Sequence, residues 1–204
     1  LFLFFMKKNI MLFVFCLLIG LAGFSNVANA GGGLLDLMGT YDTKDVALDV
    51  YVSGDYAYVA DGESGLQIIN ISNPSNPTLV GTCDTGNIAL GVYIYNNYAY
   101  VADGATGLQI INISNPSNPT LVGAYNTSGV AMDVYVSGDY AYVADGESGL
   151  QIINISNPSN PTLVGTYNTS GYATDVYFSG YYLFVTDGES GLQIINISNP
   201  SNPT

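Results

Sequence analysis

Histidine, tryptophan and arginine are absent from this 204-residue chain, and lysine occurs only at Lys7, Lys8 and Lys44. Without histidine no side chain titrates near neutral pH unaided, so acid–base chemistry would rest on carboxylates alone. With a single lysine beyond residue 30, the chain cannot replace the counterions of a phosphate backbone, which excludes nucleic acid as a partner. Anionic membrane surfaces are disfavoured on the same ground, because all 16 acidic residues also lie beyond residue 30. Cysteine is nearly missing: Cys16 lies in the N-terminal apolar stretch, and Cys83 stands where the repeat described below has Tyr41, Tyr125 and Tyr167. Neither a disulfide framework nor a reactive thiol is expected.

The first 30 residues differ in kind from the rest. Lys7 and Lys8 precede an apolar stretch from Ile10 to Phe24, and Ala28-Asn29-Ala30 supplies a small-x-small cleavage pattern. That stretch runs for about 15 residues, short of the ~20 a membrane-spanning helix needs. Residues 1–30 are therefore expected to be a secretory signal, with residues 1–5 upstream of the true start at Met6. Cleavage after Ala30 would leave residues 31–204 as an extracytoplasmic chain, secreted, periplasmic or at the cell surface, with no membrane insertion.

What remains is one unit written repeatedly. The pairs Asp61-Gly62, Asp103-Gly104, Asp145-Gly146 and Asp187-Gly188 recur at intervals of 42 residues without an insertion. The stretch from Gly65 to Thr78 returns unchanged from Gly107, Gly149 and Gly191. Each period holds short runs rich in Val, Ile, Leu and Tyr, bounded by turn residues; in the first they are Val46–Val52, Tyr56–Ala60, Leu66–Ile71 and Leu79–Cys83. Proline is confined to the Asn73-Pro74-Ser75-Asn76-Pro77 turn and its copies, where a missing N–H does no harm. Ile68, Ile69 and Ile71 are apolar on both alternating sets, so the strands must be covered on both faces. Helical repeats are excluded, because Gly or Pro interrupts every stretch of about ten residues and no 3.6-residue apolar period is present. The expected fold is all-β: a β-propeller of four-stranded antiparallel blades, four in this chain. Those four could close on themselves, with Leu35–Thr43 as the last blade's missing strand, or form an arc of a larger ring.

Tyr56-Ala57-Tyr58-Val59-Ala60-Asp61, then Gly65-Leu66-Gln67-Ile68-Ile69-Asn70, Asn73-Pro74, Pro77 and Leu79-Val80-Gly81 resemble the LVIVD repeat. The resemblance covers essentially residues 35–204 and implies a propeller-type extracytoplasmic protein of a bacterium or archaeon. One departure is that Asn70, Asn112, Asn154 and Asn196 stand where that family usually has Asp.

Candidate sites follow from blade geometry. The loop after the second run presents Asp61 with Glu63, Asp145 with Glu147 and Asp187 with Glu189, oxygen ligands of the kind calcium takes. Five residues supply fewer ligands than a dedicated calcium loop, and the alternative is that each Asp bonds its own turn. No cofactor is otherwise expected. Asp49, Asp133 and Asp175, with Gly91 as the fourth equivalent, fall on the innermost strands and should approach the central channel, there either to meet a ligand or to cap backbone N–H groups between blades. Residues that break the repeat mark a specific surface: Tyr95, Asn96 and Asn97 in the second blade, and Tyr172, Tyr181 and Tyr182 in the fourth. Near-identical copies argue against an active site, which needs unlike groups converging on one point. The function expected is a secreted or cell-surface binding scaffold for a protein or glycan, without enzymatic activity. The alternative is the propeller part of an extracytoplasmic, glycan-active hydrolase.

Overall fold

The computed structural model describes residues 36–204, so the expected signal segment lies outside the described residues. From Gly39 to Thr204 the chain forms one compact unit. Its strands run β1 (Asp49–Ser53), β2 (Tyr56–Ala60), β3 (Leu66–Asn70), β4 (Thr78–Cys83), β5 (Gly91–Tyr95), β6 (Tyr98–Ala102), β7 (Leu108–Asn112), β8 (Thr120–Tyr125), β9 (Asp133–Ser137), β10 (Tyr140–Ala144), β11 (Leu150–Asn154), β12 (Thr162–Tyr167), β13 (Asp175–Ser179), β14 (Tyr182–Thr186) and β15 (Leu192–Asn196). They pair as antiparallel meanders, three sheets of four strands and a last sheet of three, β13-β14-β15. These are β-propeller blades, and only the fourth lacks an outer strand among the described residues.

Turn chemistry sets the registers. Asn70 Oδ1 accepts the Ser72 N–H at 3.0 Å and its hydroxyl at 2.7 Å, and Asn73 repeats the device on Ser75. The amide oxygen at position 70 thus fills an acceptor role that a carboxylate could also fill. The outer strand bends at a bulge, where Ile68 pairs with Gly81 but Ile69 with Leu79. The bulge brings Gly81 against the next blade's proline turn, so closely that a Cβ there would lie 2.2 Å from the Pro116 carbonyl oxygen.

Burial on both strand faces follows from blade stacking. Tyr58, Ala60, Leu66 and Ile68 of the first blade pack against Val92, Ile94, Val101 and Ile111 of the second. The same layer recurs between the second and third blades and between the third and fourth. Full burial of each such Leu or Ile is worth roughly 1.5–3 kcal/mol relative to exposure.

The closing-strand expectation is corrected in one respect. Residues 39–43 do not pair with β15. Gly39 instead sits on the Pro74 turn of the first blade, where a Cβ would lie 2.1 Å from the Pro74 oxygen, as Gly81 sits on Pro116, Gly123 on Pro158 and Gly165 on Pro200. The segment takes the place of an outer strand from a preceding blade, and the four blades form an open arc.

Candidate functional site

The loop aspartates are buried at the seams between blades. Asp61, Asp103, Asp145 and Asp187 are fully buried, whereas Glu63, Glu147 and Glu189 are exposed. Asp145 Oδ1 accepts the Thr127 hydroxyl at 2.5 Å and Oδ2 accepts the Gly129 N–H at 2.8 Å, both from the link that enters the blade. Asp103 takes the Thr85 hydroxyl at 2.6 Å and bonds Thr106 of its own turn. Asp187 keeps the Gly171 N–H at 2.9 Å, while its Oδ1 and the Thr169 hydroxyl oxygen are buried without a partner. Asp103, Asp145 and Asp187 are therefore engaged with the links between blades, and among the described residues no group of three or more His, Cys, Asp or Glu comes together.

Burial is the leading cause that raises the Asp103 and Asp145 carboxyls above the ordinary aspartate range, with their hydrogen bonds opposing it. A carboxyl raised by folding contributes stability that is present below its unfolded pKa and lost as pH rises through the folded value. Thermal unfolding followed from pH 7 down to about 4, the free-aspartate range, should show a rising melting temperature from these two groups. In Asp103→Asn/Asp145→Asn that acid-side rise should shrink.

The innermost aspartates also join blades. Asp49 Oδ2 accepts the Val92 N–H at 2.9 Å, and Asp133 Oδ2 accepts the Val176 N–H at 3.1 Å. At the fourth position, Gly91 leaves room for its neighbour, since a Cβ there would lie 2.8 Å from Asp133 Oδ1. Asp175 is the equivalent residue at the start of β13 in the fourth blade.

Beside them runs a tyrosine column that the sequence reading passed over. Tyr51, Tyr93, Tyr135 and Tyr177 follow one another from blade to blade with ring centroids 5.0, 4.6 and 5.6 Å apart. Burial, then the hydrogen bond and charge of Tyr135, raise the Tyr93 hydroxyl well above its usual range. The 42-residue recurrence of these tyrosines was visible, but the close ring-to-ring approach belongs to blade stacking.

Of the residues that break the repeat, Tyr95 and Asn96 are the ones gathered into a site. A groove of about 330 Å³ between the second and third blades is lined by Tyr95, Asn96, Tyr98, Tyr100, Asp139 and Ser156, among others. Asn96 holds the tight β5–β6 turn at φ 54°, a left-handed conformation that Gly fills in the other blades and Asn tolerates. Asn97 follows it on the exposed turn. Tyr100 lies at the base, its hydroxyl pushed up to about 12 by burial and then by Tyr98 and Tyr95, so it stays a neutral donor and acceptor. Tyr172, Tyr181 and Tyr182 do not join this groove. Tyr172 lies over Gly146 on the opposite loop face and directs its hydroxyl to the Met132 sulfur at 3.7 Å. Tyr181 and Tyr182 are exposed at the turn of the last blade. The groove partners from the third blade, Asp139 and Ser156, are ordinary repeat residues, which is why nothing in the sequence set them apart.

The fold is shared with solved structures of unrelated sequence. The computationally designed Ika4 protein superposes with a TM-score of 0.66 at 7% identity, over 80% of this chain and 99% of that one. The computationally designed Ika8 protein superposes with a TM-score of 0.63 at 7% identity, over 77% of this chain and 48% of that one. No curated protein matches the sequence. The LVIVD repeat model matches residues 46–85, 86–127, 128–169 and 170–204, in phase with the four blades. With that repeat spanning every blade from first to last, the chain belongs to the LVIVD repeat family.

Proposed function

We propose that this chain is a secreted or cell-surface scaffold that binds a protein or glycan ligand and catalyses no reaction on it. The observation that carries the reading is the groove between the second and third blades, where three tyrosines, an asparagine and an aspartate converge at a turn that departs from the repeat. Tyrosine offers an apolar ring with a polar tip, Asn96 offers donors and acceptors together, and Asp139 accepts hydroxyls. That combination suits the alternating C–H faces and hydroxyls of a sugar chain, so a glycan is the ligand class the groove favours. Extracytoplasmic placement is supported by the N-terminal signal pattern and by the family. Among the described residues no helix is long and apolar enough to cross a membrane.

The test uses the repeat as its own control. Tyr95→Ser/Asn96→Gly/Asn97→Asp restores the Ser-Gly-Asp turn of Ser53-Gly54-Asp55 and Ser137-Gly138-Asp139. Stability should change by less than about 1 kcal/mol, as for exposed positions. Binding to a glycan array should fall at least tenfold. Unchanged array binding by the restored turn would remove the groove from the account.

A further inference from the structure

On the loop face opposite the Tyr95 groove, an apolar side chain recurs where the chain enters each blade. Ile88, Val130 and Tyr172 stand 42 residues apart and are 42%, 37% and 36% exposed. The residue after each is a wholly buried alanine, Ala89, Ala131 or Ala173, which bridges the preceding blade's loop at Gly62, Gly104 or Gly146. Its N–H donates to that glycine's carbonyl at 2.9, 2.9 and 3.0 Å. The three side chains therefore sit on a fixed base rather than on loop tips. Single exposed apolar residues are ordinary on a protein surface, but these occupy one position in three successive blades.

What borders the row is acidic and polar. The loops bridged behind Ile88 and Tyr172 carry Glu63 and Glu147, and the one behind Val130 carries Ala105. Around Glu147 opens a pocket of about 360 Å³, lined also by Ser128, Ser148, Gln151, Thr166 and Asn168. The Ser128 and Ser148 hydroxyl oxygens are 3.2 Å apart. Gln151 is buried and spends its Nε2 on the Ser148 carbonyl at 3.1 Å, so what it has left to offer is an acceptor oxygen. Glu147 is the only charged group of the pocket, and Lys44 is the only basic side chain among the described residues. Burial, then the charges of Glu147 and Asp145, raise the Tyr172 hydroxyl above its ordinary range, which keeps a neutral ring close to the Glu147 carboxylate. The second blade has Gly86, Ala105 and Ala124 where the pocket has Ser128, Glu147 and Thr166, so its copy lacks the carboxylate and two hydroxyls.

We propose that this face docks a lysine-bearing segment of a protein partner, with an ammonium group in the Glu147 pocket and apolar side chains laid across Ile88, Val130 and Tyr172. Charge complementarity selects the occupant. A carboxylate set among hydroxyl and amide oxygens matches an ammonium, which has three donors and no acceptor, and the face of a tyrosine ring attracts a cation beside it. A chain of net charge −13 draws such a partner in. One carboxylate among neutral oxygens is a poor match for calcium, whose sites combine several carboxylate and carbonyl oxygens. The apolar row is what distinguishes a peptide from a small amine. This site lies apart from the glycan groove and does not rest on that reading.

The probe is the acetylated and amidated pentapeptide Leu-Lys-Leu-Lys-Leu, titrated into the chain by isothermal calorimetry, with backbone amide shifts locating the contact. Shifts are expected at Ile88, Val130, Glu147, Ser148 and Tyr172. Acetylating both lysines should weaken binding at least tenfold. Glu147→Ala, the residue the second blade holds at that position, should weaken it at least fivefold, with a melting temperature within a few degrees of the parent showing that the blades still fold. Tyr172→Val, copying Val130, should weaken it at least threefold. A peptide that does not bind at millimolar concentration overturns the proposal, as does equal affinity for the acetylated peptide or for Glu147→Ala. So do shifts as large at Gly86, Ala105 and Thr106 as at Ser128, Glu147 and Ser148, or shifts confined to the Tyr95 groove. Glucosamine or Nα-acetyl-lysine amide binding as tightly as the peptide would assign the pocket to a small amine and overturn the protein partner.

Discussion

Asp145→Ala is expected to destabilise the protein by about 3 kcal/mol, lowering its melting temperature by roughly 6–12 °C for a chain of this size. The substitution strands two donors from the neighbouring link, the Thr127 hydroxyl, now 2.5 Å from the carboxylate, and the Gly129 N–H at 2.8 Å. Each buried donor left alone costs about 1–3 kcal/mol. Burial of the carboxylate works in the opposite sense, raising its pKa, but that cost is smaller than the loss of both partners plus the space vacated. The fourth blade supplies an internal comparison. There Asp187 Oδ1 and the Thr169 hydroxyl oxygen are already without partners, so only the 2.9 Å bond from the Gly171 N–H is lost. Asp187→Ala should cost about half as much. Differential scanning calorimetry of the two variants measures both effects. Equal losses would mean that the Thr–Asp bond between blades contributes nothing.

Gly123→Ala is expected to cost about 3 kcal/mol, the upper end of what overpacking costs. A Cβ at 123 would lie 2.0 Å from the Pro158 carbonyl oxygen and 3.2 Å from the Ser159 Cα, backbone atoms that move only if the next blade moves. Elsewhere glycine to alanine often stabilises slightly by restricting the unfolded chain, so the sign alone is informative. Gly138→Ala is the matched control, since its φ is 57° but nothing lies within 4 Å of the added carbon. It should pay only left-handed backbone strain, about 1 kcal/mol. Urea unfolding of both variants distinguishes interblade crowding from local strain: the account requires the larger loss at Gly123.

The blade itself was legible because its determinants are local. Tyr56–Ala60 was read to the residue, since the Ser-Gly-Asp turn and the Asp-Gly loop bracket it. The first strand was read from Val46 but pairs as a ladder only from Asp49, because residues 46–48 lead in along the seam and only Leu48 donates to the Ala60 carbonyl. What the sequence could not show are contacts between blades. Thr127 and Asp145 are separated by a full link and two strands, so nothing in their spacing announces a hydrogen bond. The loop carboxylates read either as oxygen ligands or as groups bonding their own turn; what spacing could not show is that Asp61, Asp145 and Asp187 are buried while Glu63, Glu147 and Glu189 are exposed. The open arc was equally hidden. Residues 39–43 read as an outer strand in either arrangement, and only the seat of Gly39 on the Pro74 turn shows which blade they accompany.

At the groove the sequence reading found half the site. Tyr95-Asn96-Asn97 stood out by breaking a repeat, and the other wall, Asp139 and Ser156, is supplied by an unaltered blade. The proposed binding groove lies where one irregular turn meets a regular neighbour. Backbone amide shifts on titrating the chain with a glycan selected from the array test that idea most directly. The account predicts that they cluster at Tyr95, Asn96, Tyr98, Asp139 and Ser156; shifts spread evenly over equivalent positions of all four blades would contradict it.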